Sequence, residues 1–297
     1  MEHCLPQGAN RGAAELVTIA VIAMGEMGSG VAKRLVEQGA RVVTSLDGRS
    51  GASAERAHEA GVEMVNDAEL VQQAEIILSI VPPAAAVATA TRFAALIAPL
   101  ERPPVYVDCN AIAPQTLKEI AGAFVPHKLP ILDGSIIGIP PRPGYSPKLY
   151  LSGDGAGTAE TLKGLGLDAR LVSSDLGDAS ALKMAFAGIT KGFQALGAAM
   201  AIGAARGGAA TLFLTEVRET LPSLYDFLAK MLPSMYAKAY RWDDEMLEIS
   251  RFLEPEEGAA EMLSGAGALF RSIAAAHRAG PDSEIIQILN AFVAPQA

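Results

Sequence analysis

Cysteine, histidine, aromatic residues and charged residues are all scarce in this chain of 297 residues. Its two cysteines and four histidines have no ligand spacing and are too few for a disulfide framework or a zinc cluster, so we expect no metal site. Aromatic residues make up 5% and charged residues 19%, whereas hydrophobic residues make up 50%. This composition excludes an intrinsically disordered chain, which needs low hydrophobicity and high net charge.

Basic charge is also in short supply, because 24 Lys and Arg residues stand against 33 Asp and Glu residues, a net charge of −9. Such an acidic chain lacks the electrostatic footprint of a nucleic-acid-binding protein. Residues 1–15 contain no apolar segment and predict a loose leader, not a signal peptide. Residues 185–205 are apolar, but their many alanines and glycines favour a buried helix over a membrane span. We therefore expect a cytoplasmic protein without a membrane partner.

Strand-like and helix-like segments alternate in the first part of the chain. Apolar runs predict buried strands at 16–24, 41–47, 74–81 and 104–109, with helical segments between them, and further strands at 131–133 and 148–152. This order predicts an α/β domain over 16–175 with a mostly parallel sheet and helices on both faces. Strand-like runs then cease, and 178–206 predicts one long helix that opens an all-α domain over 176–297.

The turn after the first strand resembles a dinucleotide-binding fingerprint. Residues 23–28 read AMGEMG, which is G-x-G-x-x-G with Ala23 at the first glycine. Gly25 lets the backbone approach a pyrophosphate, Gly28 permits close packing of helix on strand, and the helix N-terminus supplies N–H groups. The motif therefore predicts a Rossmann-like domain that binds NAD(P), with Glu26 and Met27 also at the cofactor.

The end of the second strand gives conflicting indications about the cofactor. Asp47 lies about 20 residues after the glycine motif, where an acidic residue bonds the ribose 2′-hydroxyl of NAD. Arg49 and Ser50 follow at once, and an arginine with a hydroxyl there suits the 2′-phosphate of NADP. We expect NADP and keep NAD as the alternative. Val81 and Pro82, after the 74–81 strand, complete this predicted site.

Four stretches, taken in order, resemble the β-hydroxyacid dehydrogenase superfamily, which includes 3-hydroxyisobutyrate and 6-phosphogluconate dehydrogenases. They are IAMGEMG, IILSIVPP, the pair VDCNAIAP and LDGSIIG, and GDASALK. The resemblance covers most of the chain past residue 16 and suggests a variant subgroup with its own helical C-terminal domain. It implies an oxidoreductase that transfers a hydride between NAD(P) and a small β-hydroxy acid or a related alcohol or carbonyl compound.

The same resemblance implies that Lys183, near the start of the long helix, is the catalytic residue. A lysine serves as general acid or base when its pKa falls toward the working pH, and burial and the positive nicotinamide ring both lower it. Asn110 and Gly138 match family positions that hold substrate or cofactor. Helix geometry adds Thr190 and Lys191 as polar groups on the same side of the cleft.

Two departures from the family pattern leave alternatives open. Ala187 stands where the family has asparagine, and Ile137 stands where it has a serine in the substrate loop. The loop that follows gains prolines and Arg142, a candidate for a different anion contact. The alternatives are an imine reductase-like NADPH enzyme, which the retained Lys183 disfavours, and a non-catalytic NAD(P)H-binding sensor.

The apolar surplus of the chain is concentrated in the long helix, which is rich in alanine and glycine. A helix that is apolar all round must be buried, and a small helical domain has limited means to bury it. In the resembling family the helical domains of two subunits pack together. We therefore expect a homodimer formed through the C-terminal domain. Trp242 is either a core or interface residue or part of a pocket.

Overall fold

The computed structural model describes residues 16–48, 50–254 and 256–294. Its strands are β1 Thr18–Ile22, β2 Arg41–Ser45, β3 Glu63–Val65, β4 Ile76–Ser79, β5 Val105–Asp108, β6 Ile131–Ile137, β7 Lys148–Ser152 and β8 Asp168–Ser173. The helices among and after the strands are α1 Glu26–Glu37, α2 Gly51–Glu59, α3 Asp67–Gln73, α4 Ala86–Ile97, α5 Pro114–Phe124 and α6 Ala156–Gly164. The C-terminal helices are α7 Asp178–Arg206, α8 Ala210–Thr220, α9 Pro222–Met235, α10 Trp242–Phe252, α11 Glu257–Ala279 and α12 Glu284–Val293.

In the described residues the eight strands form one sheet in the order β3-β2-β1-β4-β5-β6-β7-β8. All neighbouring strands are parallel except β6 and β7, which pair antiparallel. The strand order reverses direction between β1 and β4, and the crevice above such a switch point is where α/β sheets bind ligands. The predicted α/β fold followed by an all-α region is confirmed, and the long helix has the predicted bounds.

Buried apolar residues fill both faces of the sheet and the interior of the helical region. One face packs β1, β5 and β6 against α1 and α6, and the other packs β1 and β4 against α4 and α5. A third apolar cluster joins α7 to the helices α9 to α12. The central strands are buried on both faces, which explains why they show as continuous apolar runs in the sequence.

The sequence did not predict the β8 strand, because β8 lies at the edge of the sheet and shows little alternation of apolar and polar residues. Leu171 and Val172 in β8 are exposed, so burial places no apolar pattern on this strand. β6 also runs four residues further than the 131–133 segment predicted from its sequence. The added length brings Ile136 and Ile137 above the end of β5.

The carboxylate of Asp133, in the middle of β6, anchors the first turn of α7. It accepts hydrogen bonds from the Ser180 N–H at 2.8 Å, from the Ser180 hydroxyl at 2.6 Å and from the Ser152 hydroxyl at 3.0 Å. The Ser152 hydroxyl also accepts from the Ala179 N–H at 3.1 Å. Burial raises the pKa of Asp133, and the bonds from Ser180 and Ser152 oppose that rise. The start of α7 is therefore fixed to the sheet at a defined rotation.

Replacing this carboxylate should destabilise the protein measurably. Asp133→Ala leaves the Ser180 N–H and two buried hydroxyls without their acceptor, which should lower the free energy of unfolding by about 2 kcal/mol. Urea denaturation followed by circular dichroism measures the change. The control Asp175→Ala removes an exposed carboxylate just before α7 and should shift it by less than about 0.5 kcal/mol. Equal losses in the two variants would contradict the anchoring role.

Candidate functional site

The turn between β1 and α1 leaves room for a phosphate group at Gly25. A Cβ atom built on Gly25 would meet no protein atom within 4 Å, and no side chain caps the N-terminus of α1. A Cβ on Gly28 would lie 2.0 Å from the carbonyl oxygen of Ala23, so only glycine fits there. Ala23 takes a left-handed φ of 72°, a conformation that glycine adopts without cost. The open cradle and free helix N-terminus fit the pyrophosphate of a dinucleotide.

Glu26 and Met27 lie in the first turn of α1 and flank this cradle. Glu26 is exposed and forms an ion pair at 3.1 Å with Arg241, a residue that extends from the helical region. The hydrogen bond and charge of Arg241 lower the pKa of Glu26. Arg241 thus neutralises a carboxylate that would otherwise repel a phosphate at the start of α1. Met27 is half-buried and packs against the core on the α1 side of the sheet.

The region for the adenosine ribose lies at the ends of β2 and α2. Asp47 is exposed and accepts from the Asp67 N–H at 3.4 Å. Ser50 precedes α2 without capping it, and its hydroxyl lies 3.3 Å from the hydroxyl of Ser53. Arg49, the residue expected to favour NADP, lies outside the described residues.

Arg56 was missed in the sequence analysis. Its Nε atom donates to the Met24 carbonyl at 2.5 Å, so this α2 side chain braces the glycine turn from the side of the ribose region. The sequence offered one indication of this contact. It was a basic residue one to two turns into the helix that follows the acidic end of β2. Sequence spacing alone does not show which way that side chain points.

Asn110 follows β5, and all of its amide atoms are engaged within the protein. Its Oδ1 atom accepts from the Val81 N–H at 2.6 Å, and its Nδ2 atom donates to Asp108 at 2.8 Å and to Ser79 at 3.3 Å. Asn110 and Val81 are buried, whereas Pro82 is exposed. Asn110 therefore ties the ends of β4 and β5 together, and the free amide expected to meet a substrate or the nicotinamide is not found in this arrangement.

Burial raises the pKa of the neighbouring Asp108 to about 7, against hydrogen bonds from Asn110 that lower it. This carboxyl lies at the end of β5, beneath Asn110. Its partners among the described residues are the N–H and the amide of Asn110. Asp108 thus helps to hold the strand ends in register and does not reach the cleft surface.

Lys183 lies in the second turn of α7 and reaches β6. Its Nζ atom donates to the Ile136 carbonyl at 2.9 Å. Burial is the main cause that lowers the pKa of Lys183; the positive charge of Lys191 acts in the same direction, and Glu245 opposes it. Lys183 therefore sits beyond the end of β5, at the sheet edge that also carries Asn110, with an amine that gives up its proton more readily than an exposed lysine.

Thr190 and Lys191 lie about two turns beyond Lys183 on α7 but have other partners. The Thr190 hydroxyl donates back to the Phe186 carbonyl at 3.0 Å on its own helix. The Lys191 Nζ atom pairs with Glu245 at 2.6 Å and lies 5.0 Å from the centre of the Trp242 ring. The polar groups that we expected to contact a substrate are therefore already engaged with other residues of the protein. Glu245 was not identified from the sequence.

The loop between β6 and β7 is clamped to α1 by Arg34. The Arg34 guanidinium donates to the carbonyls of Arg142 at 3.0 Å and Tyr145 at 3.1 Å. Gly138 is exposed with a φ of 139°, and a Cβ there would lie 2.1 Å from the Tyr145 hydroxyl. Arg142 lies over the Tyr145 ring at 5.6 Å. The stiff loop expected from its prolines is thus held by the Arg34 cation of α1. Glycine is required at position 138 because of its backbone conformation.

Two glycine substitutions should separate folding from cofactor binding. Gly25 has an ordinary φ of −73° and open space, so Gly25→Ala should leave the melting temperature unchanged but weaken NADPH binding about tenfold or more. Gly28→Ala forces its methyl group against the Ala23 carbonyl and should lower the melting temperature as well. Thermal unfolding and NADPH fluorescence titration measure both quantities. Wild-type NADPH affinity in Gly25→Ala would contradict the cradle.

Known families and structures match both parts of the chain. Residues 18–143 match the NAD-binding domain of 6-phosphogluconate dehydrogenase, and residues 204–273 match a domain of unknown function, DUF1932. An uncharacterized 28.5 kDa protein of Methanothermus fervidus is 28% identical over 179 residues, which are 60% of this chain and 67% of that protein.

Two solved structures share 28% identity with the chain. One is a conserved protein of unknown function with structural similarity to 3-hydroxyacid dehydrogenases (TM-score 0.65, 88% of this chain and 98% of that one). The other is a conserved hypothetical protein of Sinorhizobium meliloti 1021 (TM-score 0.68, 94% and 97%). The 3-hydroxyisobutyrate dehydrogenase of Mycobacterium tuberculosis, 16% identical, shares the fold (TM-score 0.69, 94% and 100%).

These matches confirm the resemblance drawn from the sequence and the expectation of a nicotinamide dinucleotide as cofactor. They agree with the glycine cradle, the strand order and the long helix described above. The chain therefore combines a region that matches the NAD-binding domain of 6-phosphogluconate dehydrogenase with a region that matches DUF1932, and it shares the fold of 3-hydroxyisobutyrate dehydrogenase.

Proposed function

We propose that this protein is an NAD(P)-dependent oxidoreductase that interconverts a small β-hydroxy acid, or a related alcohol, and its carbonyl form, with Lys183 as general acid and base. The observation that carries the proposal is the position of Lys183. The anchored first turn of α7 brings its Nζ atom to the Ile136 carbonyl at 2.9 Å, beyond the strand ends where the dinucleotide domain binds its ligand.

The chemistry follows from that position. A nicotinamide cofactor, when bound, would supply the chemistry of hydride transfer. When an alcohol is oxidised, the neutral Lys183 amine takes the hydroxyl proton, and in the reverse direction its ammonium returns that proton to the carbonyl oxygen. Burial supports this role because it lowers the pKa of Lys183 and so increases the fraction of neutral amine at physiological pH. The Ile136 carbonyl orients the amine by accepting one of its hydrogens.

The alternatives differ in substrate or in activity. The fold is shared with imine reductases of Myxococcus stipitatus, at 19–21% identity and TM-scores of 0.53–0.54. Turnover of cyclic imines without turnover of hydroxy acids would favour that alternative. NADPH binding without any turnover would favour a non-catalytic sensor. We also propose NADP over NAD and a cytoplasmic location; parallel titrations with NADPH and NADH test the cofactor preference.

Lys183→Met should abolish most of the activity while leaving the fold intact. General acid–base catalysis contributes about 10²- to 10⁴-fold, so kcat should fall at least about a hundredfold on the best substrate of a hydroxy-acid and carbonyl screen. NADPH affinity and melting temperature should stay near wild type. Lys230→Met removes an exposed lysine of α9 and should retain full activity. A loss below about tenfold in Lys183→Met would exclude the lysine mechanism.

The outer face of α7 supports a homodimer, which we propose as the assembly. Six large apolar residues on this face are 40–62% exposed: Leu182, Phe186, Ile189, Phe193, Leu196 and Met200. They alternate at spacings of four and three, the pattern of a helix-packing seam. A cavity of about 750 Å³ with apolar walls from α7, α10 and α11 adjoins the stripe. The proposed occupant of this surface is a second copy of the chain, because a two-fold axis would pair the stripe with itself.

Ile189→Glu should convert the dimer into a folded monomer. Ile189 is 62% exposed in the single chain, so a charge there disturbs the interface more than the core. Light scattering coupled to size exclusion measures the mass, and circular dichroism verifies folding. Leu212→Glu, at a 76% exposed residue of α8 outside the stripe, should remain dimeric. A wild-type monomer at micromolar concentration would remove the proposal.

A further inference from the structure

A mostly buried ion pair between α7 and α10 has no role in the mechanism proposed above. Lys191 of α7 and Glu245 of α10 are joined at 2.6 Å, with side chains only 12% and 14% exposed. The Lys191 ammonium also faces the Trp242 ring at 5.0 Å, and Trp242 packs edge-on against Phe270. The carboxylate and the indole together hold this ammonium in one place.

Lys183 and Lys191 would otherwise compete as amines of the same cleft. They lie on neighbouring stripes of α7, about 80° apart around the helix axis. Lys191 is a charged neighbour that lowers the pKa of Lys183, and Glu245 is one that raises it. Burial favours the neutral form of Glu245, but the charges of Lys191, Lys183 and Arg241 together lower its pKa and keep it ionised. Glu245 is therefore bound to Lys191, and its charge also acts on Lys183.

We propose that Glu245 is a positioning residue that holds Lys191 as a fixed, neutralised cation and so leaves Lys183 as the amine that exchanges a proton with the substrate. The proposal rests on the function proposed above. It assigns to a residue of the DUF1932 match a part in the chemistry of Lys183, which precedes that match in the chain. α10 is suited to this, because its Glu248 accepts from the Ala113 N–H at 2.7 Å and the Thr116 hydroxyl at 2.6 Å and so docks it on α5.

Two substitutions should move the protonation of Lys183 in opposite directions. Glu245→Gln removes the negative charge and leaves Lys191 unbalanced, which disfavours a second ammonium at Lys183. Lys191→Met removes a positive charge and frees Glu245 to attract Lys183, which favours its ammonium. The reaction rate of Lys183 with an amine-acylating reagent, followed against pH by peptide mass spectrometry, should therefore have its midpoint at lower pH in Glu245→Gln and at higher pH in Lys191→Met.

Controls separate this effect from loss of structure. Glu284→Gln removes the exposed partner of Arg206 at the far end of α7 and should leave the Lys183 midpoint unchanged. The double variant Glu245→Gln/Lys191→Met should return the midpoint toward the wild-type value. Midpoints that do not move, or that move in the same direction in both single variants, would overturn the proposal. The labelling needs no substrate or cofactor, so its failure is distinct from a failure of the Lys183→Met activity test.

Discussion

The contact between Asp133 and the first turn of α7 is the constraint on which the site depends. A buried carboxylate is costly unless hydrogen bonds satisfy it, and here the N-terminus of a long helix provides them. The bond at Ser180 sets the rotation of α7, and Lys183 follows three residues later on the same side of the helix. The same strand carries Asp133 and the Ile136 carbonyl, so one rigid element positions both the helix and its lysine.

α10 forms the second support of the cleft, and it comes from the other part of the chain. Glu248 caps α5, Arg251 pairs with Glu119 of α5, and Arg241, just before α10, pairs with Glu26 of α1. These bonds cross from the helical region to the dinucleotide domain on either side of Glu245. The position of Glu245 is therefore set by contacts to the cofactor domain, although the residue itself belongs to the helical region.

Features that depend on local pattern could be predicted from the sequence. Continuous apolar runs predict the central strands, and the AMGEMG turn predicts the cradle. The absence of proline between 178 and 206 predicts the full extent of α7. Features that depend on distant partners could not. Lys191 and Glu245 are separated by 54 residues, and nothing in the spacing of either shows that they meet. Asn110, Thr190 and Lys191 lie near the predicted cleft, but internal partners engage their polar atoms.

Ala187 and Ile137 replace the asparagine and serine of the resembling family, and in this chain a main-chain carbonyl holds the Lys183 amine. The Ile136 carbonyl supplies orientation in place of a side chain, and carbonyl geometry does not depend on which residue follows it. Burial and the positive end of the α7 dipole both disfavour the ammonium, whereas Glu245 favours it. Because Glu245 is also bound to Lys191, its pull on Lys183 is partial. Burial and the charge of Lys191 therefore lower the pKa of Lys183 against the opposing charge of one shared carboxylate.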